Sequence, residues 1–160
     1  MNPGDKIQHR LKKLCTRNVL VIGIGNTLKG DDGAGPVICQ RLKEAFSDRV
    51  IDTGTVPENY IQPIIDKKPE NLLIIDAVDF GASPGTVQIF DIEQINSIAF
   101  STHSLSPRLF VDVICQSISP DISFLGIQPQ QTGLDQPLSP EVSRAVESLV
   151  DMFSHLLIRS

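Results

Sequence analysis

Residues 19–36 have the sequence VLVIGIGNTLKGDDGAGP, in which an apolar run gives way to glycines and then to two adjacent aspartates. A continuous run of aliphatic and β-branched residues is typical of a strand that is covered on both faces of a parallel sheet. Ligands of open α/β sheets bind at the carboxyl ends of such strands. The stretch therefore predicts a strand over residues 19–24 and places Asp31 and Asp32 at a candidate functional edge.

The two aspartates are expected to differ in role. An aspartate before a helix is a common N-cap, because its carboxylate accepts free backbone N–H groups and meets the positive end of the helix dipole. One carboxylate is enough for this purpose, and two adjacent anions repel each other unless a cation or donor is near. We therefore expect Asp31 to cap the turn or the helix start, and Asp32 to be the better ligand candidate.

Strand-like and helix-like segments alternate along the rest of the chain, with no linker or repeat between them. The predicted strands cover about residues 19–24, 50–53, 72–76, 86–90 and 122–126, and the predicted helices about 32–46, 57–65, 104–117 and 139–158. In the helix over 104–117, the inward-facing residues are expected to be Leu105, Leu109, Val113 and Ile114. This alternation predicts one layered α/β domain over residues 18–160 with a sheet of about five strands.

Composition restricts the class of protein. The chain has 160 residues, 41% of them hydrophobic and 21% charged, which is ordinary for a soluble globular domain. A net charge of −5 argues mildly against nucleic acid as a partner, and no segment is long and apolar enough to cross a bilayer. Residues 1–17 are basic and lack the apolar core of a signal peptide, so we predict a solvated leader or a short helix there.

The cysteines point to a reducing compartment. Cys15, Cys39 and Cys115 are odd in number and widely spaced, so they form neither a metal knuckle nor a disulfide framework. We expect a cytoplasmic protein in which Cys39 and Cys115 are small buried residues on helices.

Two further polar residues stand where predicted elements meet. Asp76 closes the apolar run over residues 72–75, and His103 immediately precedes the helix predicted from residue 104. Together with Asp32 they offer two carboxylates and an imidazole, a donor set that suits a borderline divalent metal with open positions. Each residue alone is also compatible with a structural role, as a cap or a strand terminus.

Other site types have less support. Gly23-Ile24-Gly25 after a strand is similar to a dinucleotide fingerprint, and Asp52 lies at about the distance of a ribose-binding acid. However, Leu28 occupies the third glycine position, and an acidic pair at the helix start would repel a pyrophosphate. Zincin, esterase and P-loop motifs are absent from the sequence.

Several ordered motifs resemble the maturation endopeptidases of nickel-iron hydrogenases, and most closely the hydrogenase 3 subgroup. The resemblance extends from Val19 to about Val150. Its motifs are Gly25-Asn26-x-Leu28-x-x-Asp31-Asp32-Gly33-x-Gly35-Pro36, Pro57-Glu58-Asn59, Leu72 to Ala77 with Pro84-Gly85, Ser101-Thr102-His103 and Leu125-Gly126-Ile127-Gln128-Pro129. The family pattern often has two glycines after the strand-two acid, whereas this chain has Asp52-Thr53-Gly54.

The resemblance implies a fold and a reaction. It implies an αβα sandwich with a mostly parallel sheet, which removes a C-terminal peptide from a nickel-loaded large-subunit precursor of a hydrogenase. The metal-contacting and catalytic positions would fall on Asp32, Asp76 and His103, and the nickel would arrive with the precursor. We expect a monomer that acts on this protein partner and binds neither nucleic acid nor membrane.

Two loops are expected to flank the cleft and contact the precursor. They are residues 53–59, with Gly54 and Thr55, and residues 128–137, with Gln128. The second loop is equally compatible with a solvated connector that has no binding role.

Two other functional classes stay open. One is a nickel-sensing chaperone that uses the same three residues without cutting, and the other is a Rossmann-like nucleotide-binding protein.

Overall fold

A single six-stranded sheet forms the centre of the protein. The computed structural model describes residues 2–97, 99–100 and 106–158. The strands are β1 (Val19–Ile24), β2 (Val50–Gly54), β3 (Asn71–Asp79), β4 (Val87–Asp91), β5 (Ala99–Phe100) and β6 (Asp121–Ile127). Their order is β2-β1-β3-β6-β4, and the short β5 pairs with the end of β3. The first four strands of this order are parallel, whereas β4 and β5 are antiparallel to their neighbours.

Helices cover both faces of the sheet. They are α1 (Pro3–Leu14), α2 (Ala34–Phe46), α3 (Ile61–Lys67), α4 (Pro107–Cys115) and α5 (Pro140–Ile158). Because strand side chains alternate between faces, Val21, Leu73 and Leu125 join one buried cluster with α1, α2 and α5. Leu20, Leu72 and Phe124 join the other cluster with α3 and α4. The expected αβα sandwich with a mostly parallel sheet is therefore confirmed.

The basic N-terminal segment is mostly helical and packs on the sheet. Leu11 and Cys15 are buried in the same cluster as α2 and α5. The Arg10 side chain donates a hydrogen bond to the carbonyl of Ile89 in β4, at 3.2 Å, and pairs with Asp91 at 3.3 Å. The helix thus satisfies a backbone acceptor of β4, the last strand on that side of the sheet.

Two expectations for the fourth helix were wrong. Leu109 is 50% exposed and Cys115 is also exposed, whereas Phe110, Val111 and Ile114 are buried. The described helix begins at Pro107 after the N-cap Ser106, whose side chain accepts from the N–H of Leu109. Residues 110, 111 and 114 form a helical face beside that of residues 109 and 113, and the face with the bulkier Phe110 packs on the sheet. Leu105 lies outside the described residues, and Val113 is half-buried.

No helix in the described part of the chain is both long enough and apolar enough to cross a membrane.

Candidate functional site

The candidate site lies where the order of strands reverses along the sheet. After β1 the chain moves outward to β2, and then returns across β1 to add β3 on the other side. At such a switch point the ligands of open α/β sheets bind at the carboxyl ends of the two strands. The register pairs Gly23 with Ile75, so Asp76 lies one residue beyond the last pair of β1 and β3.

The turn after β1 is tightly closed on itself. Gly25 has a φ of +149°, and a Cβ at this position would overlap the carbonyl of Asp32. Lys29 N–H donates to the Asn26 carbonyl at 3.0 Å, and the Leu28 N–H donates to the Asn26 side-chain oxygen at 2.9 Å. Only a glycine permits this approach at position 25. The turn therefore holds Asp32 against the end of β1.

Asp32 presents one unused acceptor in a buried position. Its side chain is 2% exposed, and Oδ2 accepts the N–H of Asn26 at 3.1 Å. Oδ1 is fully buried and accepts no hydrogen bond from any described residue. A buried carboxylate oxygen without a donor is unfavourable by about 1–3 kcal/mol or more. This oxygen is therefore available to coordinate a cation or to accept a proton.

Asp76 is the second buried carboxylate at this edge. It is 1% exposed, lies on β3, and follows the alternation that points Leu72 and Ile74 toward the face covered by α3 and α4. The 3-10 turn Gly30–Gly33, which contains Asp32, contacts β3. His103, the third member of the expected set, lies outside the described residues. Within the described ranges, no three His, Cys, Asp or Glu side chains form a group that could hold a metal.

Asp31 accepts backbone N–H groups, as expected, but from a different segment. Its Oδ1 accepts from Ser139 N–H at 2.6 Å, and its Oδ2 from Gln130 N–H at 2.8 Å, Gln131 N–H at 3.0 Å and Ser139 Oγ at 2.8 Å. Ser139 directly precedes α5, and its Oγ also accepts from Val142 N–H. Asp31 therefore does not cap its own helix. It fixes the loop between β6 and α5, about a hundred residues further along the chain.

The residues expected to flank the cleft lie in ordered loops. Gly54, with a φ of +55°, accepts the N–H of Gly25 on its carbonyl at 2.9 Å, and Thr55 beside it is exposed. Gln128 is 7% exposed, and its side-chain oxygen accepts from the N–H groups of Phe80 and Ala82. Its amide nitrogen donates to Asp79 at 3.1 Å, which lowers the pKa of that carboxyl. Gln128 thus joins the segment after β3 to the loop after β6.

Asp52 is fully engaged within the chain. Its Oδ2 accepts from the Gln40 amide at 2.9 Å, and its Oδ1 accepts from the N–H of Gly54, also at 2.9 Å. A ribose-binding acid needs its carboxylate oxygens for the sugar hydroxyls. The arrangement therefore favours a turn-forming role for Asp52 over nucleotide recognition.

Comparison with known proteins identifies relatives over most of the chain. Residues 36–155 match the profile of the family HycI, described as hydrogenase maturation protease. The hydrogenase 3 maturation protease of Escherichia coli K12 is 35% identical over 133 residues, which cover 81% of this chain and 85% of that protein.

Solved structures give the same family. The crystal structure of the [NiFe] hydrogenase maturation protease HycI from Thermococcus kodakarensis has a TM-score of 0.83 and 32% identity, and the match covers 93% of this chain and 99% of that one. The solution structure of the endopeptidase HycI from Escherichia coli has a TM-score of 0.74 and 35% identity, with 84% and 87% covered.

Proposed function

Because this chain belongs to the HycI family of hydrogenase maturation proteases, we propose that it removes the C-terminal peptide from a nickel-loaded large-subunit precursor of a hydrogenase. The family makes the chain a hydrolase that acts on peptide bonds. The identity with an endopeptidase of the hydrogenase 3 system favours a precursor of that type. The nickel is part of the substrate in this proposal, since it arrives bound to the precursor.

The observation that carries the nickel part is the unused Oδ1 of Asp32. A buried carboxylate oxygen without a donor is normally avoided, and a divalent cation supplies the missing partner. Asp32 lies after β1 and the buried Asp76 lies one residue past the β1–β3 register, at the same sheet edge. With His103 they form an oxygen, oxygen, nitrogen donor set, which suits a borderline metal such as nickel. We assign recognition of the precursor's metal to these three residues.

The same residues also supply catalytic chemistry. A metal held beside the scissile peptide polarises its carbonyl or lowers the pKa of a bound water. A buried carboxylate with a free oxygen accepts the proton that this water releases. In this scheme the enzyme cuts only a precursor that carries its metal, because the unloaded precursor offers nothing for the three residues to bind.

The surroundings of the site support the proposed partner and setting. Gly54 and Thr55 on one side and the loop that starts at Gln128 on the other lie beside the Asp32 turn, and we propose that they border the path of the precursor. The free thiols of Cys15, Cys39 and Cys115 support action in a reducing cytoplasm. We further propose a monomer that binds no nucleic acid and no membrane.

The test is cleavage of two otherwise identical precursors, one loaded with nickel and one without. We expect a shortened product, detected by mass, from the loaded precursor alone. Asp32→Asn and His103→Ala should lose cleavage, whereas Asp151→Asn, an exposed change on α5, should not.

Three outcomes would contradict the proposal. Equal cutting of both precursors would remove nickel recognition, and normal cutting by His103→Ala would make that histidine structural. Tight binding of the loaded precursor without any cut would instead favour the nickel-sensing chaperone.

A further inference from the structure

Few large hydrophobic side chains are exposed, and they are unevenly placed. Among the described residues five such side chains are strongly exposed: Leu28 at 61%, Val56 at 39%, Leu109 at 50%, Leu134 at 67% and Ile158 at 74%. The first belongs to the turn that carries Asp32, and Leu134 belongs to the loop between β6 and α5. Val56 follows Gly54 in the loop after β2.

These three loops are joined by backbone hydrogen bonds. The carbonyl of Leu28 accepts from the N–H of Asp135 at 2.7 Å, so Leu134 lies next to the Asp32 turn. The Gly30 N–H donates to the Gln136 carbonyl at 3.0 Å. On the other side, the carbonyl of Gly54 accepts the N–H of Gly25, and Gly54 lies two residues before Val56. The exposed side chains of Leu28, Val56 and Leu134 thus lie on connected loops around Asp32, and we call them the apolar rim.

Hydrogen bonds hold the loop that contains Leu134 in place. The carboxylate of Asp31 accepts four hydrogen bonds from the loop that contains Leu134. Within that loop, the Gln131 amide donates to the Pro137 carbonyl at 2.8 Å, and Gly133 N–H donates to the Gln136 side chain at 2.6 Å. Because the loop is already ordered, a partner that binds it does not have to order it first.

Two of the three loops that carry the rim, those with Leu28 and Leu134, have little charge. Residues 128–139 contain a single charged side chain, that of Asp135. In the turn over residues 25–32, the two carboxylates are buried and Lys29 is the one remaining charged residue. Exposed leucines on ordered, weakly charged loops mark a surface that binds another protein rather than one that is merely solvated.

We propose that the apolar rim is the docking surface for the precursor, and that it binds aliphatic side chains of the precursor next to the segment that is cut. This inference rests on the proposed function. We assign the surface to the precursor because the segment that is cut must reach Asp32, and the loops that carry the rim are the ones bonded to the Asp32 turn. A second copy of this chain seated on the same leucines would cover the Asp32 turn and block the site.

The test measures kcat and KM for cleavage of the nickel-loaded precursor by three proteins. They are the unmodified chain, the double variant Leu28→Gln with Leu134→Gln, and the control Ile158→Gln. Ile158 is more exposed than either leucine and ends α5, whose 19 residues place it about 27 Å from Pro140 at the start of that helix. Far-UV circular dichroism during urea unfolding checks that all three are equally folded.

We expect the double variant to raise KM at least tenfold with kcat within about twofold, since each leucine loses its burial against the precursor. The control should leave both constants unchanged. An unchanged KM in the double variant would overturn the docking proposal. So would gel filtration that showed a dimer for the unmodified chain and a monomer for the double variant, because the rim would then join two copies. Failure of the unmodified chain to cut the precursor would instead overturn the proposed function.

Discussion

Replacement of Asp31 by asparagine tests the connection between the Asp32 turn and the loop before α5. Asparagine has one carbonyl oxygen, which can keep the three bonds now made by Oδ2, but its amide nitrogen would then face the N–H of Ser139. That buried N–H loses its acceptor, at about 1–3 kcal/mol, and the three remaining bonds change from charged to neutral. The neutral amide is easier to bury than a carboxylate, which offsets part of the loss.

We expect Asp31→Asn to lower the free energy of unfolding by about 2–4 kcal/mol, which corresponds to roughly 10 °C in Tm for a chain of this length. The measurement is urea unfolding followed by far-UV circular dichroism, because the chain has no tryptophan to report by fluorescence. Asp135→Asn is the matched control. Asp135 is exposed and has a φ of +61°, which asparagine also tolerates, so its stability should change by less than about 0.5 kcal/mol.

Equal stability of Asp31→Asn and the unmodified chain would refute this reasoning. Ser139→Ala provides a second measurement, since it removes the hydroxyl bond to Asp31 while keeping the Ser139 N–H. In the double variant the two losses should not add, because Asp31→Asn already weakens, by removing the charge, the bond to the Ser139 hydroxyl that Ser139→Ala removes.

Three other predictions follow from the site and the core. Asp32→Asn should abolish cleavage while leaving the free energy of unfolding equal or up to about 1 kcal/mol higher, because it removes a buried carboxylate with an unpaired oxygen; a large loss of stability in urea would contradict this. Gly25→Ala should prevent normal folding of the Asp32 turn and abolish cleavage, since the added Cβ overlaps a carbonyl, whereas Gly81→Ala, also at positive φ but in open space, should stay active in the same assay. Burial raises the pKa of the Cys15 thiol to about 11, so the folded chain holds the thiol proton more tightly than the unfolded chain does. The free energy of unfolding should therefore fall as the pH rises from about 9 to 11. Cys15→Ala should show a smaller decline over that range in urea unfolding, and identical pH profiles would argue against the shift.

The sheet and its candidate edge could be predicted because their signals are local. The apolar run over residues 19–22 and the glycines at positions 23 and 25 fix β1, and the Ser139-Pro140 cap fixes the start of α5. The placement of Asp32 and Asp76 at one edge follows from the direction of parallel strands alone. By contrast, α4 has apolar residues on two neighbouring faces, one with Leu109 and Val113 and the other with Phe110 and Ile114, and the spacing alone does not decide which of them packs on the sheet.

The sequence alone could not indicate which residues far apart in the chain contact each other. Nothing local indicates that the Asp31 carboxylate meets Gln130, Gln131 and Ser139, since the partners are 99 to 108 residues away. The same holds for the partners of the Gln128 side chain, which bonds to Phe80, Ala82 and Asp79. The expected contact of Gln128 with the precursor stays a prediction. An acidic pair in a tight turn did indicate that its two members have separate roles, but the identity of the partners required the fold.

The bonds from Asp31 to the loop before α5 also set the order in which a working enzyme appears during synthesis. Asp31 and Asp32 leave the ribosome about a hundred residues before Ser139 does. Until then the carboxylate of Asp31 lacks the donors that it uses in the finished protein, and the turn that carries Asp32 lacks its support. We therefore expect a nascent chain to process a precursor only after Ser139 and the start of α5 have emerged, and a chain truncated upstream of Ser139 to be inactive.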